Sequence, residues 1–262
     1  MFVTRKIRVG MQFHPQHTTV EALLAGVRRA EEIGLDTLWD WDHFFPLYGD
    51  KDGPHFEGWT LLTAMAMVTK RAEIGCLVTC NSYRNPALLS NMAKTVDHLS
   101  GGRLILGIGA GWNQRDYREY GYDFGTAGTR LDALEQGLRI IKERWVVDVP
   151  PPVRNPIPVL IGGGGERKTL RLVAQYADIW HSFGDAETHA RKSRVLREWC
   201  ERVGRDPDEI EHAVEVGSGA SEKDLDAYVE AGATHLIMAG SATPEKFFDM
   251  EWLVRWRDQR NA

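Results

Sequence analysis

Short apolar runs alternate with longer amphipathic segments along nearly the whole chain. The runs are rich in Val, Ile and Leu and are bounded by turn residues, a pattern typical of strands buried on both faces. Between the runs, apolar residues recur at helical spacing, as at Val20, Leu23 and Val27. The pattern predicts a helix after every strand, with the last helix at residues 244–258. Strands are predicted at residues 7–13, 36–41, 72–79, 104–106, 157–161, 177–180, 210–216 and 234–238.

This strict alternation implies parallel strands joined by right-handed crossovers. Eight strand and helix units in 262 residues match a closed barrel, which typically has roughly 250 residues. An open doubly wound sheet usually shows a G-x-G-x-x-G unit, which this sequence lacks. No linker of sufficient length and polarity divides the chain. The sequence therefore predicts an α/β fold, a (β/α)8 TIM barrel that forms a single domain over residues 1–262.

Two stretches depart from the regular pattern. Glu211 and Glu215 interrupt the apolar run of the seventh strand. Residues 112–128 are polar and aromatic and are long for a connection between a strand and a helix. Because such loops line the pockets of α/β barrels, residues 113–126 are expected to contribute to the substrate pocket.

Composition narrows the class of function. The chain has 32 Lys and Arg against 37 Asp and Glu, a net charge of −5, so a nucleic-acid partner is not expected. No apolar run approaches the roughly 18 residues of a membrane span, and the first residues lack the apolar core of a signal peptide. We therefore expect a cytoplasmic protein without membrane contact. Three cysteines make no disulfide framework, and no HxH or HExxH motif indicates a metal site.

The distinctive residues of the chain follow the predicted strands directly. Active sites of TIM barrels lie at the carboxyl ends of the strands, so these residues are candidates for one site. In order of the strands they are Asp42 and His43; Thr79 and Asn81; Gly109, Ala110, Gly111 and Trp112; Gly162, Gly163, Gly164 and Gly165; and Trp180, His181 and Ser182.

The glycines indicate a ligand close to the backbone. The run 162–165 precedes a predicted helix, whose free N–H groups and dipole favour an anion, most simply a phosphate. Arg167, Lys168 and Arg171 would add positive charge there. The alternative is an ordinary loop. For Gly107, Gly109 and Gly111, the alternative is a bulge that closes a tight turn between a strand and a helix.

His43 is the candidate for proton transfer. An imidazole changes its charge near neutral pH, and Asp42 stands beside it at a strand end, which suits general acid and base catalysis. The alternative is a half-buried histidine capped by Asp42. Four tryptophans would either wall a flat aromatic ligand or pack in the core, namely Trp39, Trp41, Trp112 and Trp180.

Three segments resemble the bacterial luciferase-like monooxygenase superfamily, and within it the actinobacterial branch of oxidoreductases that depend on coenzyme F420. They are DTLWDWDHF, VTCNSYRNPALLSNMAKTVDHLSGGRLILGIGAGWNQRDYREYGYDF and PVLIGGGGERKTLRLVAQYADIWHSFG. Together they cover most of residues 7–184, and the middle segment is the most specific. Beyond Gly204 the likeness concerns the fold only.

The resemblance implies roles for the residues at the strand ends. The family has a bulge with a cis non-prolyl peptide behind the central flavin ring, which would fall at Cys76–Leu77 or the next bond. Thr79 and Asn81 would then contact the ring or its side chain. The residues Gly109, Ala110, Gly111 and Trp112 would border the ring; Gly163, Gly164 and Gly165 would hold the cofactor phosphate; and Gly162, Trp180 and His181 would complete the cofactor site.

The resemblance implies hydride transfer between F420 and a small organic substrate, with His43, supported by Asp42, moving a proton. Two alternatives stay open: an FMN-dependent monooxygenase that uses O2, and a non-catalytic flavin-binding relative. The family also implies a homodimer formed through helices of the first half of the barrel. We expect an enzyme whose active site contains no metal.

Three departures from the family pattern bear on the substrate. F420-dependent glucose-6-phosphate dehydrogenases have a tryptophan where this chain has Leu47, and a glutamate where it has Trp112, which argues against that sugar phosphate. The connection at residues 146–156 is shorter than the usual family segment, which often forms a lid. The shortening predicts that the substrate pocket is more open or lacks a part.

Overall fold

The strands of the protein are short, parallel and close to their predicted positions. The computed structural model describes residues 5–240 and 250–262. All pairings between the named strands are parallel. The strands are β1 (Arg8–Gln12), β2 (Thr37–Asp40), β3 (Glu73–Cys76), β4 (Thr79–Cys80), β5 (Leu106–Gly109), β6 (Val159–Gly162), β7 (Ile179–Ser182), β8 (Glu211–Val216) and β9 (His235–Ala239).

These strands form a closed barrel. Their order is β3-β2-β1-β9-β8-β7-β6-β5-β4, and β3 closes the ring by a parallel bridge between Ile74 and Leu104, just before β5. The Ile74 amide donates to the Arg103 carbonyl at 3.0 Å, and the Ile105 amide donates to the Ile74 carbonyl at 2.9 Å. Strands β3 and β4 are therefore two parts of one predicted strand, and the predicted TIM barrel is confirmed.

The helices surround the barrel, and one of them was not predicted. Residues 114–120 form a helix within the polar, aromatic stretch, with Asn113 as its N-cap and Gly121 in the left-handed conformation at its end. The predicted last helix begins in residues 244–249, which lie outside the described part. In the described part, no helix is long and apolar enough to cross a membrane. The helices are α1 (Val20–Ile33), α2 (Gly58–Val68), α3 (Pro86–Ser100), α4 (Gln114–Tyr120), α5 (Ala127–Val147), α6 (Thr169–Tyr176), α7 (Ala186–Val203), α8 (Glu222–Glu230) and α9 (Glu251–Asn261).

Trp39 fills the inside of the barrel. It is fully buried and packs with Ile105, Leu160 and Ile237. A Cβ atom at Gly75 would lie 2.6 Å from the Trp39 ring, so glycine is required there to make room. Trp39 therefore packs in the core and does not wall a ligand.

The connection at residues 146–156 lies at the amino ends of the strands. The Arg154 amide donates to Asp97 near the end of α3 at 2.9 Å, and its guanidinium pairs with Glu73, the first residue of β3. Arg8 also pairs with Glu73 and, at 3.0 Å, with Glu211. The site is expected at the opposite end of the barrel. The length of this connection therefore does not decide how open the pocket is, contrary to the expectation from the sequence.

Candidate active site

A cavity of about 350 Å³ opens at the carboxyl ends of the strands. Its size falls in the range of roughly 300–1,000 Å³ typical of small-molecule sites. The predicted residues that line it are Asp42, His43, Leu77, Thr79, Gly109, Ala110, Gly111, Trp112, Gly162 and Gly163, with Trp41 as a wall. The lining residues that the sequence did not indicate as site residues include Gln12, Tyr48, Cys80, Tyr83, Arg130, Phe183 and Glu215.

The bulge between β3 and β4 reaches into this cavity. A cis peptide joins Leu77 to Val78, the second of the two bonds to which the family resemblance pointed. The Leu77 carbonyl accepts a hydrogen bond from the Gln12 side chain at 2.6 Å. A Cβ atom at either Gly109 or Gly162 would lie 2.9 Å from a Val78 methyl group. These two glycines therefore make room for Val78.

His43 is held by a carboxylate of α4. Its Nδ1 lies 2.6 Å from Oδ2 of Asp116, which is fully buried. The same oxygen accepts from the Tyr83 hydroxyl at 3.1 Å, and Oδ1 accepts from the Phe44 amide at 3.2 Å. Because both oxygens already accept, Nδ1 must donate its proton, and Nε2 is left to act on a ligand. Burial, together with Cys80 and Asp116, raises the pKa of Tyr83, so its hydroxyl stays a donor.

Asp42 does not support His43 as the sequence predicted. Its buried carboxylate accepts two hydrogen bonds from Arg84, at 2.7 and 2.9 Å, and one from the Cys80 amide at 2.9 Å. Burial alone would lower the pKa of Arg84, but Asp42 and Glu57 outweigh it and raise that pKa. Asp42 faces Arg84, while its neighbour His43 faces α4.

The glycine loop after β6 lies beside a lysine that the sequence did not indicate. The ammonium of Lys192, on α7, occupies the space that a Cβ atom of Gly164 would need. Among the described residues, none forms a hydrogen bond or ion pair with this ammonium. Two of the three charges predicted here have other partners, because Lys168 pairs with Asp132 and Arg171 with Glu135. Lys192 therefore brings to the loop a positive charge from a helix that the sequence did not indicate.

The helix after this loop also starts later than predicted. It begins at Thr169, and the Gly163 amide donates to the His181 carbonyl at 3.0 Å, so this amide is already used. The free amides expected from four glycines at a helix start are thus fewer than predicted. The side chain of Lys192 takes on added importance for binding an anion.

Six predicted cofactor residues lie outside the cavity lining: Cys76, Asn81, Gly164, Gly165, Trp180 and His181. Cys76 is buried against the outer layer, and burial raises the pKa of its thiol. Asn81 lies against Gly137 of α5. The Trp180 indole donates to the Gly163 carbonyl at 2.8 Å and stacks on His189 outside the barrel. His181 is fully buried, which lowers its pKa to about 3.

Aromatic rings form the rim of the cavity near His43. The Trp41 and Trp112 rings lie steeply inclined to the imidazole, at 5.9 and 5.6 Å between centroids. Trp41 also stacks on His14 at 4.3 Å, and burial lowers the pKa of His14 to about 4, so this ring is neutral at neutral pH. Trp112 is 65% exposed and stands at the mouth. His43 therefore faces a largely apolar space.

Glu215 is the second ionisable group that faces the cavity. It ends the inward face of β8, and burial raises the pKa of its carboxyl group. The sequence did not indicate it as a site residue, although its interruption of the apolar run of the seventh strand is a signal that could have done so. A charged residue at the carboxyl end of a barrel strand is a candidate functional residue.

The family model for luciferase-like monooxygenases matches residues 1–255. The F420-dependent glucose-6-phosphate dehydrogenase of Amycolatopsis mediterranei is 31% identical over 189 residues, which cover 65% of this chain; the chain spans 54% of the length of that enzyme.

Solved structures share the fold at low sequence identity. An F420-dependent secondary alcohol dehydrogenase, in complex with an F420-acetone adduct, has a TM-score of 0.86 at 17% identity and covers 97% of this chain and 99% of its own. The oxygenating constituent of a diketocamphane monooxygenase from Pseudomonas putida, in complex with FMN, has a TM-score of 0.73 at 16% identity over 97% of this chain and 96% of its own. These likenesses show the fold alone. The family model, however, matches nearly the whole sequence, and the chain therefore belongs to the luciferase-like monooxygenase family.

Proposed function

We propose that the protein is an oxidoreductase that transfers a hydride between coenzyme F420 and a small organic substrate, while His43 moves the accompanying proton. The observation that carries the proposal is that one cavity brings together the Leu77–Val78 bulge and the His43–Asp116 pair. The dehydrogenase of Amycolatopsis and the alcohol dehydrogenase with its F420 adduct support the choice of cofactor.

The residues around the cavity fit a cofactor that has a flat ring and a phosphate. The ring would lie against Leu77 and Val78, bordered by the residues from Gly109 to Trp112. The phosphate would bind at the loop of Gly163 and Gly164, where the Lys192 ammonium makes no hydrogen bond or ion pair with the described residues. When bound, the deazaflavin supplies the carbon that accepts or donates the hydride.

His43 supplies the proton transfer that a hydride transfer at an alcohol or carbonyl carbon requires. An alcohol that loses a hydride must also lose its hydroxyl proton, and Nε2 of His43 is the nitrogen able to accept it. In the reverse direction the same nitrogen donates the proton to the carbonyl oxygen. Asp116 fixes the tautomer and the orientation of the ring. The aromatic rim limits the access of water to the reacting atoms.

The side chains near His43 favour a substrate other than a sugar phosphate. Leu47 and Trp112, which stand where glucose-6-phosphate dehydrogenases of the family have a tryptophan and a glutamate, both line the cavity. Neither can accept the hydrogen bonds of a sugar hydroxyl. We therefore propose a substrate that presents an apolar part, and not sugar hydroxyls, to these two side chains.

A homodimer through the first half of the barrel is part of the proposal. The apolar side chains Met67 on α2 and Leu88 and Leu99 on α3 are 64%, 53% and 44% exposed. Covering them with a second copy would remove this apolar surface from water. Light scattering should give the mass of a dimer, and Leu88→Glu should shift the equilibrium toward the monomer.

Titration of the purified protein with F420 and, separately, with FMN tests the cofactor. Quenching of the tryptophans at the cavity, Trp41 and Trp112, reports binding. We expect a Kd in the micromolar range or tighter for F420 and little response to FMN. A preference for FMN would make the protein a candidate FMN-dependent monooxygenase, and binding of neither would refute a flavin-type cofactor. Binding of F420 without turnover of any alcohol or ketone would favour a non-catalytic relative.

A further inference from the structure

Two glutamates on the inward face of β8 have opposite surroundings. Residues 211, 213 and 215 share this face because side chains alternate along a strand. Ala213 between them packs with Trp39 in the barrel interior. Glu211, at the amino end, pairs with Arg8 at 3.0 Å. Glu215, at the carboxyl end, lines the cavity and has neither a hydrogen bond nor an ion pair to the described residues.

The other carboxylates at the cavity are satisfied by the protein. Asp42 is held by Arg84, and Asp116 is held by His43. Burial raises the pKa of the Glu215 carboxyl group. Within residues 5–240 and 250–262, no cation lies close enough to lower that pKa. Burial raises the pKa of the Tyr48 hydroxyl, and the negative charge of Glu215 raises it further. Glu215 is thus a charge for which the described chain provides no counter-charge.

Neither of two cations near the cavity, Arg130 and Lys192, forms an ion pair with Glu215 in the described part of the chain. Arg130 donates to the carbonyls of Gly111 and Phe124 at 3.1 and 2.8 Å. Lys192 stands at Gly164, beside the loop after β6. A carboxylate in a half-buried apolar space costs free energy unless it is paired. A cationic ligand would offset that cost by pairing with the carboxylate. A neutral ligand of the same shape would supply no counter-charge and would offset it less.

We propose that Glu215 binds a positively charged nitrogen of the substrate, so that the substrate class is an amine that also carries the alcohol or carbonyl group to be oxidised or reduced. The proposal rests on the proposed function for the reacting group, but the amine site itself does not depend on the cofactor. Tyr48 and Phe183, which line the same cavity, provide aromatic faces that favour a cation.

Benzylamine and benzyl alcohol are matched probes for this site, because they share their shape and only the amine is charged at pH 7.5. Their affinities are measured by ligand-observed NMR for the protein, for Glu215→Gln and for Glu187→Gln. The last variant makes the same chemical change on the exposed first turn of α7. Thermal melts establish that each variant is folded.

We expect benzylamine to bind at least tenfold more tightly than benzyl alcohol to the protein and to Glu187→Gln, and we expect Glu215→Gln to abolish the difference. Equal affinities, undetectable binding of benzylamine, or a preference that survives Glu215→Gln would overturn the proposal. The measurement is made without and with F420. Failure of F420 to bind would refute the proposed function, whereas the amine preference of the cofactor-free protein would still decide the role of Glu215.

Discussion

Replacing Asp116 by asparagine should reverse the tautomer of His43. Oδ2 of Asp116 accepts from both His43 and the Tyr83 hydroxyl, and Oδ1 accepts from the Phe44 amide. Asparagine keeps the shape but has one accepting oxygen. If its amide nitrogen faces His43, Nδ1 must accept and the proton moves to Nε2, which can then no longer take a proton from a substrate. If the nitrogen faces Phe44, it opposes a backbone N–H that can only donate, so we expect the first orientation, in which both His43 and the Tyr83 hydroxyl can become acceptors.

Either orientation removes hydrogen bonds to a buried carboxylate. Hydrogen bonds to charged groups contribute about 1.5–3 kcal/mol each, and the new amide recovers part of this. We therefore expect the free energy of unfolding to fall by about 2 kcal/mol. Turnover should fall by roughly 10²–10⁴, the usual contribution of general acid and base catalysis. F420 affinity should hardly change, because Asp116 acts through His43 and not on the cofactor.

Nitrogen NMR of the histidine rings measures the tautomer directly and needs no substrate. The His43 signals are assigned by their loss in His43→Gln. We expect Nδ1 to carry the proton at high pH in the protein and Nε2 to carry it in Asp116→Asn. A protein whose His43 already carries the proton on Nε2, or a variant whose tautomer is unchanged, would refute the role given to Asp116.

Four further substitutions test other parts of the site. His43→Ala should lower turnover by about two orders of magnitude and leave the F420 affinity nearly unchanged; a large loss of affinity with normal turnover at saturation would contradict the proton-transfer role. Lys192→Gln should weaken F420 binding about tenfold, and Gly164→Val should weaken it as well by displacing the Lys192 ammonium; unchanged titrations would remove the phosphate assignment. Glu215→Gln should raise the melting temperature of the ligand-free protein at pH 7. Burial raises the folded-state pKa of Glu215, so the folded chain binds the proton more readily and loses stability as the pH rises through that pKa. Melts below pH of about 4, the ordinary value for glutamate, should show no gain.

The fold was predictable because the pattern that determines each strand and each helix lies within a short stretch of sequence. Apolar runs and amphipathic segments alternate, and parallel strands joined by helices in a chain of this length close into a barrel. The break between β3 and β4 was not visible in the apolar pattern, because Leu77 and Val78 continue the run. Only the family resemblance pointed to it. Helix α4 was missed because its polar and aromatic residues lack an apolar stripe, although Asn113 and Gly121 are good capping residues.

Many of the residues predicted at the strand ends do line one cavity, but the partners of their side chains were not predicted. Asp116 and Lys192 lie on helices far along the chain from His43 and Gly164, and sequence spacing carries no information about such contacts. The nearest carboxylate in sequence, Asp42, was therefore assigned to His43. Its real partner, Arg84, neutralises it and leaves His43 to Asp116.

At Gly109 and Gly162 the close approach to the backbone was predicted, but the group that approaches was not. Glycine at a strand end does indicate that something approaches the backbone closely, and the sequence interpretation assigned that approach to the cofactor. At Gly109 and Gly162 the approaching group is Val78, which wedges between β5 and β6 from the bulge on the neighbouring strand. A cofactor ring would then rest on the bulge that these glycines accommodate. Substitutions at the two glycines should therefore act on cofactor binding through the position of Val78, and a Val78→Ala change should relieve Gly109→Ala in part, whereas glycines in direct contact with a ring would show no such rescue.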